Sequence, residues 1–305
     1  MREITVRAPA TVSNVVCGFD CLGFALTEPF DMVTVRETRH SEIRILTRGE
    51  FELPADPEKN VAGVAVGAML DAAGIDIGLE IELQKNIKPG SGIGSSAASS
   101  CGAVVAANAI LDNRFSRIEL ADFAMEGERL ASGEKHADNV APCIFGGFTL
   151  VRSIAPLDIV SLQFPLLFAT VLHPQIEIKT SEARAILPKE VSLSSAIRQW
   201  SNLGALVSSL AASDYELLGR SLLDEIVEPV RKSLIPSFTE VKEAAMAAGA
   251  LGGGISGSGP SMFMLSRTEA TAYRVELAIR KVYKHSGLDF RTYVSEVSEK
   301  GVTVL

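Results

Sequence analysis

A glycine-rich segment with two adjacent serines is the part of this sequence best suited to chemistry. Residues 88–99 read Lys-Pro-Gly-Ser-Gly-Ile-Gly-Ser-Ser-Ala-Ala-Ser, and they follow an alternating apolar pattern that is typical of a half-buried strand. The Ala-rich stretch that comes next contains no proline and predicts a helix from Ser95 to Leu111. A strand, a glycine loop and a helix start together present backbone N–H groups to an anion, so we expect a phosphate site here.

This loop differs from the two best-known phosphate loops. A P-loop carries a lysine inside the loop, which is absent here, and the dinucleotide fingerprint requires a third glycine where Ser95 stands. Gly252, Gly254 and Gly257 have the dinucleotide spacing, but the order of the surrounding elements is reversed, and we interpret this match as coincidence. We expect Ser95 or Ser96 to cap the helix and to offer a hydroxyl to phosphate or Mg²⁺.

Length and composition limit the classes of function. A chain of 305 residues with 47% hydrophobic residues predicts two domains with substantial cores. The formal charge of −8, without a basic run, argues against nucleic acid or an anionic membrane surface as a partner, and no apolar run is long enough to span a membrane. With no signal peptide and no metal-ligand spacing among the four cysteines, we expect a cytoplasmic protein with free, buried thiols.

Local patterns predict a mixture of helices and strands that is typical of α+β proteins. Strands are predicted at residues 3–8, 31–36, 41–52, 79–84, 158–172, 261–265 and 290–297, with turn-rich sequence between the first two. Helices are predicted at residues 60–74, 95–111, 118–132, 190–213, 214–227, 237–249 and 268–284. We predict a domain boundary that divides the chain into residues 1–154 and 155–305.

Polar side chains in three further segments could do chemistry. Asn14 and Asp20 lie in an apolar, glycine-punctuated stretch, where hydrogen bonds to their own backbone are the alternative use. Glu128 falls at the border of an apolar helix face, so it needs a partner, either Mg²⁺ or a nearby Lys or Arg. The polar loop that follows either binds a substrate or is an ordinary turn, and its candidate residues are His136, Asp138 and Asn139.

Two arginines in the second half of the chain complete the candidates. A guanidinium group is suited to bidentate capture of a carboxylate, although most arginines lie on the solvated surface. Arg184 lies shortly before Pro188, and Arg231 lies between Pro229 and Pro236.

Together these segments resemble the small-molecule kinases named for galactose, homoserine, mevalonate and phosphomevalonate. The segment GSGIGSSAAS is similar to the ATP-binding signature of that family, and GGGISGSGPSMF is similar to its C-terminal motif. HADNVAPCIFGGF and EPVRKSLIP are typical of the homoserine branch. One segment departs from that branch, which usually carries Leu-Gly-Pro-Gly-Phe-Asp where this chain has Val-Val-Cys-Gly-Phe-Asp after Asn14.

The resemblance implies an enzyme that phosphorylates the hydroxyl of L-homoserine with ATP and Mg²⁺, by direct in-line transfer, in threonine biosynthesis. It implies a two-domain fold, in which an N-terminal α+β domain carries the ATP loop and a C-terminal α+β domain forms a ferredoxin-like sandwich. Members of the family are often dimers, so the resemblance also makes a homodimer an expectation to test.

The resemblance further implies a role for each matched residue. Nucleotide contacts are expected from Asn60, Pro89, Gly90, Ser91, Gly92, Ile93, Gly94, Ser95, Ser96, Ala97, Ala98 and Ser99, with Asn60 near the adenine. Mg²⁺ is expected at Ser96 and Glu128. Substrate contacts are expected from Asn14, Asp20, His136, Asp138, Asn139, Thr180, Arg184 and Arg231. Among these, Arg184 and Arg231 would hold the carboxylate, Asp20 the ammonium and Asn139 the attacking hydroxyl, so that Asn139, Asp20, Ser96 and Glu128 form the catalytic set.

Two other functions remain open at this stage. A kinase for a different small alcohol is one, although the Gly-Glu-His segment of galactokinases and the first-motif lysine of mevalonate kinases are missing. A nucleotide-binding regulator that has lost catalysis is the other. The presence of a general base is also open, because an Asn139 amide accepts protons poorly and Asp20 is the only carboxylate matched to the family that could act as one.

Overall fold

The computed structural model describes all residues from 1 to 305 and consists of two sheets with surrounding helices. Its strands are β1 Glu3–Val15, β2 Gly18–Thr38, β3 Ile43–Gly49, β4 Gly78–Lys85, β5 Phe148–Ile154, β6 Leu157–Leu162, β7 Phe168–Pro174, β8 Gly252–Ile255, β9 Met262–Ser266, β10 Phe290–Glu296 and β11 Thr303–Val304. Its helices are α1 Val61–Ala73, α2 Ser95–Ile110, α3 Arg117–Ser132, α4 Val140–Phe145, α5 Thr180–Ala185, α6 Leu193–Ala212, α7 Tyr215–Ser221, α8 Glu228–Arg231, α9 Phe238–Ala247 and α10 Glu269–Tyr283.

The first sheet has seven strands and is dominated by a long hairpin of β1 and β2. Its strand order is β11-β1-β2-β4-β3, while β5 pairs with β2 and β6 pairs with β5. The prediction of turn-rich sequence between residues 8 and 31 is wrong, because both strands run on to a tight turn at Val16 and Cys17. Residues 8–13 are buried on both faces of the strand, so they lack the polar alternation by which a half-exposed strand is recognised.

The second sheet has four antiparallel strands in the order β10-β7-β9-β8. This order, with helices between β7 and β8 and α10 between β9 and β10, is that of a ferredoxin-like sandwich, and it confirms the predicted α+β fold. Helices α9 and α10 cover the sheet, since Val241, Ala245, Val275 and Ile279 share a core cluster with the β9 residue Met264.

The two sheets share a hydrophobic core. The Phe24 ring of the first sheet lies 5.6 Å from the Phe263 ring of the second, centroid to centroid, and 4.8 Å from Phe148. The division we propose between residues 154 and 155 falls at the turn between β5 and β6. Strand β6 lies beyond that division but still pairs with β5 in the first sheet.

Other details depart from the sequence prediction. The helix predicted over 214–227 ends at Ser221, because the Asp224 carboxylate accepts hydrogen bonds from the N–H groups of Ile226, Val227 and Glu228 in a local turn. All four cysteines are free, and Cys21 alone is only half-buried. No helix is both long enough and apolar enough to pass through a bilayer.

Helix α2 packs unusually close to the long hairpin, and Gly102 permits this contact. A Cβ atom at Gly102 would lie 2.6 Å from Cγ2 of Val33 and 3.2 Å from Cβ of Ala8, both of them buried in the sheet. Real Cβ atoms essentially never lie within 3.0 Å of another heavy atom, so the contact with Val33 excludes a side chain at residue 102 unless the packing shifts. The spacing between α2 and the sheet therefore depends on glycine at this position.

We predict that Gly102→Ala lowers the free energy of unfolding by about 1–3 kcal/mol, because the added methyl group overpacks the interface between α2 and the sheet. The matched control is Gly67→Ala in α1, where the nearest atom, Cδ1 of Ile43, would lie 3.9 Å from the new Cβ. That change should be neutral or stabilising, since alanine is the better helix former. Urea titration of both variants measures the difference, and equal stabilities would contradict the packing argument.

Candidate functional site

A cleft of about 340 Å³ contains most of the residues that the sequence singles out. It is lined by both halves of the chain, since the first turn of α2 and the turn between β8 and β9 both face it. The sequence-predicted residues on its walls are Asn14, Asp20, Asn60, Pro89, Gly90, Ser91, Gly92, Gly94, Ser95, Ser96, Ser99, Glu128, His136, Asp138, Asn139, Thr180 and Arg184. Arg231 lines a small adjoining cavity, and the side chains of Ile93, Ala97 and Ala98 belong to the core.

The N-terminus of α2 has no side-chain cap, which corrects the prediction that Ser95 or Ser96 caps it. The N-cap residue is Gly94, in the left-handed conformation with φ 70°. A Cβ atom there would overlap the Thr11 hydroxyl, so only glycine fits. The Ser95 hydroxyl instead donates to the Ile87 carbonyl at 2.8 Å. The first N–H groups of α2 are thus left without intrahelical or side-chain partners, as an anion site requires.

The turn between β8 and β9 holds the glycine loop from the other side. The Ser256 hydroxyl donates to the Gly92 carbonyl at 2.7 Å, and the Ser261 hydroxyl donates to the Ser91 carbonyl at 2.6 Å. Two carbonyl oxygens of the loop are thus hydrogen-bonded to hydroxyl groups. Without these bonds, the oxygens would repel a phosphate. Gly252 and Gly254 lie in β8 and Gly257 in the turn before β9, so the helix that a dinucleotide fingerprint requires does not follow them.

Asp20 and Arg184 form the charged end of the cleft, and Arg231 lies beside them in the adjoining cavity. The Arg184 guanidinium donates to both carboxylate oxygens of Asp20 at 3.0 Å, and each of these side chains is 35% exposed. Arg231 is 2% exposed and has no carboxylate partner, because its hydrogen bonds go to the carbonyls of Ala183 and Gly257. Burial lowers the pKa of Arg231, and the nearby Asp20 carboxylate opposes that effect.

The Phe19 ring lies beneath both guanidinium groups. Its centroid is 4.9 Å from Cζ of Arg231 and 5.7 Å from Cζ of Arg184, distances at which a cation and a ring face attract each other. The ring therefore stabilises both guanidinium groups. This matters most for Arg231, which has no carboxylate partner. Thr180, the first residue of α5, lies on the same wall as Arg184, and the His136 imidazole is 3.4 Å from the Arg184 guanidinium.

Two asparagines of the cleft are fixed by bonds to the protein itself. Asn139 accepts from the Thr11 hydroxyl at 2.7 Å and donates to the Ser13 hydroxyl at 2.8 Å, which fixes the orientation of its amide. Asn14 donates to the Gly257 carbonyl at 2.9 Å and accepts from the Asp20 N–H at 2.7 Å. The Asn14 amide therefore links the tip of the β1–β2 hairpin to the second sheet's glycine turn.

Asn60 caps α1 at the far end of the cleft. Its side-chain oxygen accepts from the Ala62 N–H at 3.0 Å, and its amide donates to the Pro54 carbonyl at 2.9 Å. Leu53 and Val61 line the same wall and give it an apolar surface suited to a flat ring. The expected contact between Asn60 and adenine stays a prediction.

Comparison with known proteins identifies the family of this fold and cleft. Residues 60–147 match the model of the GHMP kinases N terminal domain, and residues 206–285 match that of the GHMP kinases C terminal domain. The homoserine kinases of Chloroherpeton thalassium and Chlorobium phaeobacteroides are 47% and 46% identical to this chain, and each alignment covers all of both proteins. The crystal structure of homoserine kinase from Cytophaga hutchinsonii superposes with a TM-score of 0.96 at 49% identity, covering 100% of this chain and 98% of that one.

The chain belongs to the GHMP kinase family, in its homoserine kinase branch. The resemblance carried by the motifs is thereby confirmed. This chain departs from the usual first motif of the homoserine branch at Val16, which stands in place of a glycine. The φ angle of Val16 is 49°. A β-branched residue rarely adopts this conformation, at a cost of about 1–3 kcal/mol. Its side chain is 3% exposed within the core cluster that both sheets share, and this burial offsets the strain.

Glu128 is the most unusual acid of this GHMP kinase cleft. It is 7% exposed, it forms no salt bridge, and its Oε1 atom has no hydrogen-bond partner. Burial raises the pKa of Glu128 to about 7; the Ser96 hydroxyl lowers it, the Asp138 carboxylate raises it and the Lys85 ammonium lowers it. The salt bridge to a Lys or Arg that we considered as an alternative is not formed, although the Lys85 ammonium is near enough to act on the carboxylate. A buried carboxylate that has one unpaired oxygen and lies close to the Ser96 hydroxyl fits a ligand of Mg²⁺.

Asp138 is a second buried acid in the cleft. Burial and the Asp20 carboxylate raise the pKa of Asp138, while the neighbouring His136 and Ser13 lower it. No three His, Cys, Asp or Glu side chains are grouped as a metal site of their own. A cation bound here would therefore complete its coordination with ligands from outside the protein, such as phosphate oxygens and water.

Several residues of the cleft were not foreseen from the sequence. Lys85, Ser13 and Gly257 line it, and Phe19 supports its charged end. One signal was available: Lys85 continues the series of buried positions Leu79, Ile81 and Leu83 on β4, so a charged residue falls where the alternation predicts an apolar one. The others depend on contacts between distant segments, for which the sequence carries no local pattern.

We predict that Glu128→Gln stabilises the ligand-free protein at pH 8. The usual pKa of a glutamate is 4.5 and that of Glu128 in the folded chain is about 7, so the folded state holds a proton that the unfolded state loses as the pH rises through this window. The free energy of unfolding therefore falls as the pH rises from about 5 to 7, and it stays low at higher pH. Removing the charge should recover on the order of 3 kcal/mol at pH 8 and much less at pH 5.

Denaturant titrations at the two pH values measure this effect. The matched control is Glu243→Gln on α9, since Glu243 is exposed and has no hydrogen-bond or ion-pair partner. The control should change stability equally little at both values. A destabilised Glu128→Gln variant at pH 8 would mean that the carboxylate has a stabilising partner within the protein.

Proposed function

We propose that this protein transfers the γ-phosphoryl group of ATP to the hydroxyl of L-homoserine. One arrangement carries the proposal: a single cleft joins an uncapped helix N-terminus to the Arg184 guanidinium and the Asp20 carboxylate, and a second guanidinium, that of Arg231, lines the cavity next to it. The first feature suits a polyphosphate, and the second suits the ammonium and carboxylate groups of an amino acid. Full-length similarity to homoserine kinases supports the choice of amino acid.

The charged end of the cleft supports recognition of a zwitterion. Asp20 and Arg184 neutralise each other in the absence of substrate. A bound amino acid can replace both halves of this pair, because its carboxylate suits Arg184 and its ammonium suits Asp20. Arg231 is already buried without a counter-ion and offers a second contact for the carboxylate. Binding then exchanges one ion pair for two or three and leaves no charge unpaired.

The phosphate end supports nucleotide binding through the main chain. The loop from Gly90 to Gly94 and the first turn of α2 offer N–H groups, and the carbonyls of Ser91 and Gly92 are already bonded to serines. We propose Ser96 and Glu128 as the protein ligands of Mg²⁺, which when bound neutralises phosphate charge and helps to orient the transferred group. The Asn60 end of the cleft is proposed to hold the adenine.

The same geometry supports direct in-line transfer. The Asn139 amide is held by Thr11 and Ser13, and we propose that it orients the attacking hydroxyl. The dipole of α2 favours negative charge on the transferred phosphoryl oxygens. Asp20 is engaged by Arg184 in the free protein and by the substrate ammonium in the complex, so positioning and charge stabilisation carry the reaction without a strong general base.

Three further statements follow from similarity to the homoserine kinases. We propose that the protein serves threonine biosynthesis, that it works in the cytoplasm and that it forms a homodimer. Light scattering on the purified protein tests the last of these, and a monomeric mass at micromolar concentration would contradict it.

A coupled assay of ADP release tests the reaction itself. Turnover is expected with L-homoserine, ATP and Mg²⁺, and not when mevalonate or galactose replaces the amino acid. Turnover with one of the other alcohols would reassign the substrate. ATP binding without turnover on any of the three would favour a nucleotide-binding regulator.

We predict that Arg184→Ala raises the KM for homoserine about ten- to a hundredfold, because the substrate carboxylate loses a charged partner. The lower part of the range for charge pairs applies, since the Arg184 side chain is 35% exposed. The KM for ATP should stay within about twofold. Arg198→Ala is the matched control, because Arg198 is 58% exposed and pairs with Glu225 outside the cleft. An unchanged KM for homoserine would remove Arg184 from the substrate site.

We predict that Glu128→Gln, which should stabilise the ligand-free protein, also raises the Mg²⁺ concentration needed for half-maximal kcat by about tenfold or more, since a metal-bound carboxylate is lost. Titration of kcat with Mg²⁺ at saturating ATP measures this. Opposite effects on stability and on metal dependence are the signature of a functional carboxylate. Wild-type metal dependence would show that Mg²⁺ binds elsewhere.

A further inference from the structure

We infer that Lys85 and Asp31 form a positioning pair for the phosphate site, in which the Lys85 ammonium fixes the start of α2 and turns a positive charge toward the bound phosphates. This inference rests on the proposed function, because it requires that the nucleotide bind at the glycine loop. Neither residue belongs to the motifs by which the family resemblance was drawn.

The pair lies directly beneath the glycine loop. Lys85 is the last residue of β4 and Asp31 lies on β2, and both side chains are 1% exposed. The Lys85 ammonium donates to Oδ2 of Asp31, to the Ser95 carbonyl at 2.9 Å and to the Ser99 hydroxyl at 3.0 Å. One cation is thus bonded to the first turn of the helix whose N-terminus faces the cleft.

The hydrogen bonds indicate that Lys85 carries its charge. The Ser99 hydroxyl lies 3.3 Å from the Ser95 carbonyl, which has no proton to give, so the hydroxyl can donate to that carbonyl and accept from Lys85. The ammonium form has three N–H bonds, one for each of these three partners, and one of the partners is the Asp31 carboxylate. Burial lowers the pKa of Lys85, and the Asp31 carboxylate opposes that effect.

Both ends of the loop are tied to this pair. The other carboxylate oxygen of Asp31, Oδ1, accepts from the N–H groups of Asn86 at 2.7 Å and Ile87 at 2.9 Å, where the chain leaves β4. Lys85 holds Ser95, where the chain enters α2. The two ends of the loop between Ile87 and Ser95 are therefore hydrogen-bonded to the two members of one ion pair. Its backbone N–H groups are held in place before a ligand arrives.

The orientation of the pair gives it an electrostatic effect beyond positioning. Lys85 lines the cleft and Asp31 does not, so the positive end of this ion pair faces the phosphate site. The dipole of α2 points the same way. A buried ion pair adds little stability compared with an apolar pair of similar volume, so its main effect should appear in nucleotide binding.

The double variant Asp31→Asn with Lys85→Met tests this inference, because it removes both charges together and leaves no buried charge without its partner. The new amide oxygen can still accept from the N–H groups of Asn86 and Ile87. We expect the midpoint of thermal unfolding to change little, while calorimetry shows AMP-PNP binding weakened by about tenfold or more. The KM for homoserine at saturating ATP should stay within about twofold, which a general loss of structure would not allow.

The matched control is Arg36→Met with Glu82→Gln. This ion pair joins the same two strands, β2 and β4, on the sheet face away from the cleft, with 2.7 Å between Nη1 and Oε2, and it belongs to a network that also includes Glu3, Glu80 and Arg48. It should leave AMP-PNP affinity unchanged. If the cleft double variant does not fold, Ser99→Ala provides the test, since it removes one acceptor of the ammonium and keeps the ion pair. That variant should bind AMP-PNP about two- to threefold more weakly.

The result that overturns the inference is wild-type AMP-PNP affinity in a folded cleft variant, with the wild-type protein still active on homoserine. The proposed function would then stand and the pair would be merely structural. If the wild-type protein bound no AMP-PNP, the proposed nucleotide site would fail first, and this inference with it.

Discussion

The bare N-terminus of α2 is the constraint on which the cleft depends. A buried helix start normally takes a side-chain cap, because its first N–H groups have no partners within the helix. Here Gly94 occupies the cap position, and the Thr11 hydroxyl fills the space that a side chain at residue 94 would need. The chain therefore leaves these donors to a ligand. The glycine loop, the close packing at Gly102 and the bonds beneath Ser95 all hold this helix end in position.

The second half of the chain completes the site through one turn. The segment between β8 and β9 bonds to the glycine loop through Ser256 and Ser261, while its Gly257 carbonyl accepts from both Asn14 and Arg231. The same short turn is therefore hydrogen-bonded to both the phosphate end and the charged end of the cleft. A γ-phosphate and an attacking hydroxyl must meet at near-contact distance, so a shared support for both ends favours productive alignment.

Sequence patterns predicted the elements with strong periodicity and the residues that carry unusual chemistry in a local motif. Helix α2 and the strand before its loop were correct because glycine and alanine mark their ends plainly. The hairpin arms were missed beyond residue 8 because that stretch is buried on both faces and has no polar alternation. The cap of α2 was misassigned, since its geometry depends on Thr11, more than eighty residues away in sequence.

The candidate site was foreseen in its residue types but not in its internal bonding. Glu128 was predicted to need a partner, and its partner cannot be read from helix spacing, because Lys85, Ser96 and Asp138 approach it from three other segments. Likewise, no sequence pattern predicts that Asp20 pairs with Arg184, which lies 164 residues further along the chain. Lys85 and Asp31 were not singled out from the sequence, although both are polar residues at positions where the alternation of β4 and β2 calls for apolar ones.

The charges of the cleft explain why a polyanion can bind to an acidic protein. Three carboxylates line it, those of Asp20, Glu128 and Asp138, within a chain of net charge −8. Their mutual repulsion contributes to the raised pKa values of Glu128 and Asp138, and a nucleotide would add to it. Two cations of the protein oppose these acids: the Lys85 ammonium, which pairs with Asp31, lowers the pKa of Glu128, and the Arg184 guanidinium pairs with Asp20. At the phosphate end, the buried Lys85 ammonium and the dipole of α2 are the groups that would oppose the charge of a bound nucleotide.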